Sequence, residues 1–317
     1  MPLRWPVLGR GPVRLRERVP LPGLTPGPLA LVGSGEYLPV MADVEGLLLA
    51  GRPDVYVQIP TAAAPEGEQS LRYWLDLGAA QAGRLGARQV PVVVRDRDEA
   101  DDPDLAALVA GAGLIYLSGG SPMYLAQTLR GTRVWQAVVA AWQGGAALAG
   151  CSAGAIALTG WVPAMRELDR PADPGLGILP HLRVLPHFDR MLGWVPALLD
   201  HALAGAPAGT TVVGIDEETA LVDLTGAGHT WQVHGRQQVW TLAEGTRDGH
   251  PAGAALIALS GRAADDSGHG RGPQDRVGQK PGRGGEGRDP ARRRASRAHQ
   301  PRPSARQGER GLQRPGR

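Results

Sequence analysis

Cysteine is almost missing from this chain: Cys151 is the only one in 317 residues. No internal disulfide can form, and a lone thiol suits a reducing, cytoplasmic compartment. Lysine is equally scarce. The one copy, Lys280, sits near the end of the chain, which excludes a serine–lysine dyad from everything before it. No stretch approaches the ~18 apolar residues of a membrane helix. The opening 23 residues are broken throughout by Pro and Arg, so no secretory signal is expected.

The net charge of +3 is unevenly spread. From Arg262 onward there are 15 basic and 6 acidic residues, leaving 19 basic and 25 acidic in the first 261, a net of −6. A nucleic-acid partner for the core loses its main support. Residues 262–317 are Gly, Pro and Arg with few apolar side chains. They cannot bury enough surface to offset chain entropy, so a disordered basic tail is expected. Residues 1–28 read as a Pro- and Arg-rich extension, and 29–261 as the folded domain.

Within that domain, short apolar runs alternate with helical patterns. "LALVGSG", "VYVQIP", "QVPVVVR", "LIYLSGG" and "AALAGCS" read as strands, ended by Gly, Pro or charge. The amphipathic stretches between them read as helices, with "SPMYLAQTLRGTRVWQAVVAAWQGG" split into two near Gly131. Continuous apolar strands separated by helices predict a mainly parallel sheet covered on both faces, a three-layer α/β/α domain. Further on, "LRVLPHF" reads as a strand of the same sheet and "TTVVGIDEETALVDL" as a strand with a turn. "HTWQVHGRQQVWTLAEG" reads as an antiparallel hairpin around His234–Gly235, giving a small ribbon. Ligands of such sheets sit beyond the carboxyl ends of the strands.

At one such end lies "GCSAG", Gly150 to Gly154. It fits G-x-S-x-G between a strand and a helix, the setting of a nucleophile elbow. Small neighbours let a sharp turn lift the serine hydroxyl clear of the sheet, and the following amides face a developing oxyanion. The register selects Ser152. Centred on Cys151, the flanking positions are Ala149 and Ala153 rather than glycines. Cys151 reads as a small buried packing residue, whose replacement by Ala should leave most activity intact.

A serine nucleophile needs a base and an orienting acid. Of the six histidines in the domain, His187 is best placed, at the end of "LRVLPHF". "GIDEETAL" offers Asp216, Glu217 and Glu218 as the acid, and Asp189 is a fourth choice. Backbone donors for an oxyanion are the amide of Ala153 and the glycine pair of "YLSGGSP", where the missing Cβ permits close approach.

"SGGS", "AGCSAGA", "PHF" and "GIDEETAL", in this order and spacing, resemble the cyanophycinase and dipeptidase E (aspartyl dipeptidase) family of serine peptidases over about residues 29–245. The resemblance implies a flavodoxin-like fold of the class I glutamine amidotransferase type. It implies a triad of Ser152, His187 and Glu217, with Gly119 and Gly120 as the oxyanion loop. It also implies a small peptide substrate cleaved at aspartyl or β-aspartyl residues, without metal or other cofactor. Ser121 and Arg190 are the residues expected to meet the substrate, Arg190 as the cation for an acidic side chain; Arg183 is read as a surface charge. This chain has "GGSP" where cyanophycinases carry "GGNQ", Leu185-Pro186 where they carry an acid and a glutamine, and Cys151 where the family usually has Thr. The polymer cyanophycin is therefore not the expected substrate. Two alternatives stand beside the peptidase: a non-catalytic binding protein, and an α/β-hydrolase esterase, whose chain order of serine, acid and histidine fits poorly. A homodimer is left open, and no membrane partner is expected.

Overall fold

The computed structural model describes residues 25–164, 170–191, 196–257 and 259. Most of the expected N-terminal extension and all of the expected basic tail lie outside the described residues. Among those described, no helix is long and apolar enough to cross a membrane.

The first half of the domain alternates as the hydrophobic pattern predicts. In order come β1 (Leu29–Val32), α1 (Ala42–Leu49), β2 (Val55–Ile59), α2 (Glu68–Arg84), β3 (Arg88–Pro91), α3 (Arg97–Ala100), α4 (Pro103–Ala107) and β4 (Leu114–Leu117). Then follow α5 (Pro122–Leu129), α6 (Arg133–Gln143), β5 (Ala147–Cys151) and α7 (Ala153–Leu158). Asp102 and Ser121 cap α4 and α5 from just before a first-turn proline. Thr132 caps α6 beyond the break at Gly131. Each such cap typically contributes about 1 kcal/mol.

The second half holds β6 (Leu182–Pro186), α8 (Phe188–Met191), α9 (Pro196–Leu203), β7 (Thr211–Ile215), β8 (Thr219–Asp223), β9 (Thr230–Gly235), β10 (Gln238–Ala243), β11 (Thr246–Pro251) and β12 (Ala255–Ile257). The strands form two sheets. The larger runs β12-β9-β8-β1-β5-β4-β2-β3. Its β1, β5, β4, β2 and β3 are mutually parallel, and β8, β9 and β12 extend it antiparallel. The smaller runs β11-β10-β7-β6, with β6 and β7 parallel.

Alternate residues of the parallel strands enter separate cores, as the two-residue period of a strand requires. Ala30 and Val32 pack with Val44 and Leu48 of α1 and with Trp74 of α2. Leu29 and Leu31 face the other way, onto Leu125, Val138 and Ile156 of the later helices. Helices on both faces give the three layers. A third cluster, around Trp161, Leu185, Phe188 and Leu198, lies against the small sheet.

Two expectations need correction. The strand before His187 does not join the sheet that carries Ser152; it lies in the small one, beside β7. Residues 229–245 are not a hairpin, since β9 pairs with β8 and β12 while β10 pairs with β7 and β11. The chain crosses between sheets at Arg236–Gln237, and the hairpin of the ribbon is β10–β11. It crosses likewise between β7 and β8, through Asp216, Glu217 and Glu218.

Candidate active site

Strand register brings three loops together. Val32 stands opposite Cys151, and Leu117 opposite Gly150, so β1, β5 and β4 end side by side. The loop after β5 is the elbow. Ser152 adopts φ 49° and ψ −106°, a conformation costing on the order of 1–3 kcal/mol that only well-packed surroundings sustain. The glycines explain how those surroundings fit. A Cβ on Gly150 would lie 2.5 Å from the carbonyl carbon of Gly154, and one on Gly154 would lie 2.4 Å from the carbonyl oxygen of Leu117. The Ser152 amide donates to Val32 at 2.9 Å, completing the turn.

His187 follows β6 and also has a positive φ, 50°. Its Nε2 stands 2.9 Å from Ser152 Oγ, and its Nδ1 stands 3.1 Å from Glu217 Oε1. A carboxylate can only accept, so Nδ1–H donates to Glu217 and the serine hydroxyl donates to Nε2. Of the four acids considered from sequence, Glu217 alone reaches the imidazole. Asp216 is buried, accepts from Trp240 Nε1 at 3.0 Å, and has its carboxyl pushed up by burial. Glu218 faces Arg236 at 2.9 Å. Asp189 stands behind Glu217, accepting its amide at 2.9 Å. Gln237, unremarked in the sequence, donates to the Glu217 carbonyl at 2.9 Å.

The loop after β4 holds Gly119 and Gly120, and the structure separates them. The Gly119 amide donates to Glu36 Oε1 at 2.9 Å, so it is committed and does not face the reacting atoms as expected. Gly120 (φ 133°) packs against the carbonyl of Ala62. Its amide and that of Ala153 have no acceptor among the described residues, and both residues line the cleft above Ser152. Ser121, expected to meet the substrate, instead accepts from the Tyr124 amide at 3.3 Å as the cap of α5 and is not part of the cleft wall.

Glu36, in the loop after β1, is the residue missed from the sequence. It is 7% exposed. Its second oxygen accepts the Cys151 thiol at 2.9 Å. Cys151 is therefore more than packing: burial, and then the Glu36 charge, push the thiol well above its ordinary pKa, so it stays protonated and donates. The signal available in the sequence was an acid placed directly after Gly33-Ser34-Gly35 at a strand end. Nothing local marks that acid as buried.

The cleft encloses about 540 Å³. Beside Ser152, His187 and Gly120 its wall is largely apolar, including Ile156, Leu185 and Met191. Arg190 lines it too, but is 74% exposed and donates to Glu217 Oε2 at 3.3 Å. Arg183 is not the surface charge expected. It is 6% exposed, stacks over Trp161 and donates to the carbonyls of Ala202, Ala204 and Gly205, which close the end of α9.

The family model of Peptidase family S51 matches residues 31–227. A crystal structure of a peptidase from an acI-B1 Actinobacterium is 41% identical, with a TM-score of 0.68 over 74% of this chain and 98% of that one. A putative peptidase E protein from Listeria monocytogenes EGD-e matches at 14% identity and a TM-score of 0.44, over 71% of this chain and 98% of that one, too distant to bear on the site. No curated protein matches. The match runs from the end of β1 through the elbow, the histidine and the acid turn, and the chain belongs to peptidase family S51 as a serine peptidase.

Proposed function

We propose that the chain hydrolyses an amide bond of a short peptide through an acyl-enzyme, with Ser152 as nucleophile, His187 as general base and then acid, and Glu217 as the group that orients His187. The observation that carries this reading is the unbroken hydrogen-bond chain from Ser152 Oγ through His187 to Glu217 at the mouth of the cleft. Ser152 Oγ attacks the substrate carbonyl while Nε2 takes the hydroxyl proton. His187 passes that proton to the leaving amine, and water releases the acyl group by the same path in reverse. The amides of Gly120 and Ala153 hold the oxyanion, acting where charge develops. Glu217 keeps Nδ1 protonated and offsets the imidazolium charge.

On the substrate side, Arg190 is the cation through which an aspartyl or β-aspartyl group would bind, as the resemblance to dipeptidase E implies. A second reading rests on the cleft wall. Arg190 already faces Glu217 and Asp189, while Ile156, Leu185 and Met191 offer contact to an apolar side chain. Purified protein assayed against aspartyl, β-aspartyl and leucyl dipeptides, with Ser152→Ala as control, tests both. Turnover that survives Ser152→Ala rules out the serine, and the preferred dipeptide decides between the two substrates.

A further inference from the structure

One buried carboxylate joins the two parts of the site that lie on the large sheet. Glu36 Oε1 accepts the Gly119 amide, and Glu36 Oε2 accepts the Cys151 thiol, each at 2.9 Å. The first bond reaches the loop after β4, the second the residue before the nucleophile. No other side chain does both among the described residues.

The loop after β4 is otherwise held at its ends. The Ser118 amide donates to Ile59 at 3.2 Å, and its hydroxyl meets Tyr37 at 2.6 Å. The Ser121 amide donates to Ala62 at 2.8 Å. Between them stand two glycines, whose peptides rotate more freely than any other residue allows. Glu36 removes that freedom. It takes the Gly119 amide inward and leaves the Gly120 amide as the loop's uncommitted donor. The site is built around the carboxylate, since a Cβ at Gly119 would lie 2.6 Å from Glu36 Oε1.

Cys151 closes the other side. Its side chain is fully buried and it precedes the strained Ser152. Burial and the nearby carboxylate keep it a thiol rather than a thiolate, so the S–H remains available to Glu36.

We infer that Glu36 is a positioning residue for this peptidase, fixing through Gly119 which amide of the diglycine loop meets the oxyanion, with Cys151 as the donor that holds Glu36 in place. The inference rests on Ser152 being the nucleophile. It assigns Cys151 a hydrogen-bonding task that serine can perform and alanine cannot.

A fluorophosphonate probe tests it without knowledge of the substrate, because phosphonylation of Ser152 develops an oxyanion in the same place. The saturable labelling kinetics of wild type, Glu36→Ala, Glu36→Gln, Cys151→Ala and Cys151→Ser would be measured, with Ser152→Ala as blank and a thermal melt of each. Glu36→Ala should label at least about tenfold more slowly at saturation, with half-saturation little changed, as for a displaced oxyanion donor. Glu36→Gln, which keeps an acceptor for Gly119, should recover most of the rate. Cys151→Ala should slow labelling several-fold and Cys151→Ser should restore it. Equal rates for wild type and Glu36→Ala overturn the inference, as do equal rates for the two cysteine variants. If Glu36→Ala does not fold, the cysteine pair decides alone. A wild-type chain that does not label overturns the reading of Ser152 and this inference with it.

Discussion

The two sheets hold unlike halves of one site. On the large sheet, Ser152 and the diglycine loop extend from buried parallel strands, over a fully buried Cys151 and a nearly buried Glu36. On the small sheet, His187 follows β6, and Glu217 stands in the turn where the chain leaves β7. Their side chains are 38% and 29% exposed. The difference matches what each half does. Ser152 and His187 both sit at positive φ, but the serine turn is held by close-packed backbone around Gly150 and Gly154. His187, which lines the cleft, is aligned by its hydrogen bonds to Ser152 and Glu217 instead.

Changes on the small sheet should therefore cut rate and spare stability. His187→Ala is expected to lower kcat by about 10³-fold or more, with little change in the melting temperature of the purified protein. Loss of folding without it would show that the small-sheet half is also structural. Glu217→Gln should cost about 10²-fold in kcat, while Glu218→Gln, which loses only a surface partner, stays close to wild type. Equal losses in the two would dissolve the distinction drawn between neighbouring acids of one turn.

Changes on the large sheet should affect packing and rate together. Gly119→Ala places a methyl against Glu36 and is expected to lower kcat about tenfold and to lower the melting temperature as well. The smallest effect concerns pH. Glu45 of α1 is 1% exposed and bonded to Tyr56 at 2.9 Å, and burial pushes its carboxyl up from 4.5 to about 7. The folded state therefore holds a proton that the unfolded state releases between those values. The stability linked to Glu45 is complete below about pH 4.5 and is lost as pH rises through about 7. Glu45→Gln removes that dependence. Denaturation at pH 5 and pH 8 should show the variant gaining on wild type by about 2 kcal/mol over this range. No gain would mean that the large-sheet interior does not penalise the charge.

The elbow, the parallel strands and the helix break at Gly131 were legible because each is a local demand. Five residues must be small, a run must be apolar, a turn must have glycine. The partition into two sheets was not. β5 and β6 are both short apolar runs, and which neighbour each pairs with is decided by residues far along the chain. The crossover at Arg236–Gln237 carries the same Gly-and-polar signature as a hairpin, and only the pairing of β9 with β8 and of β10 with β7 tells them apart. Glu217 could be named by resemblance, but its separation from Asp216 and Glu218 depends on which way each side chain leaves the turn. Glu36 escaped notice for a related reason. A carboxylate after a strand reads as solvated unless the donors that will surround it are known, and both of its partners come from distant strands.

The split between sheets also has a consequence in time. During synthesis the serine leaves the ribosome 35 residues ahead of the histidine it bonds, and the histidine 30 ahead of its glutamate. A chain ending at α7 would hold the elbow sequence but neither His187 nor Glu217, nor the strand β8 that flanks β1. The hydrogen-bonded chain from Ser152 to Glu217 is complete only with β7 beside β6 and the turn beyond it placing the acid at the imidazole.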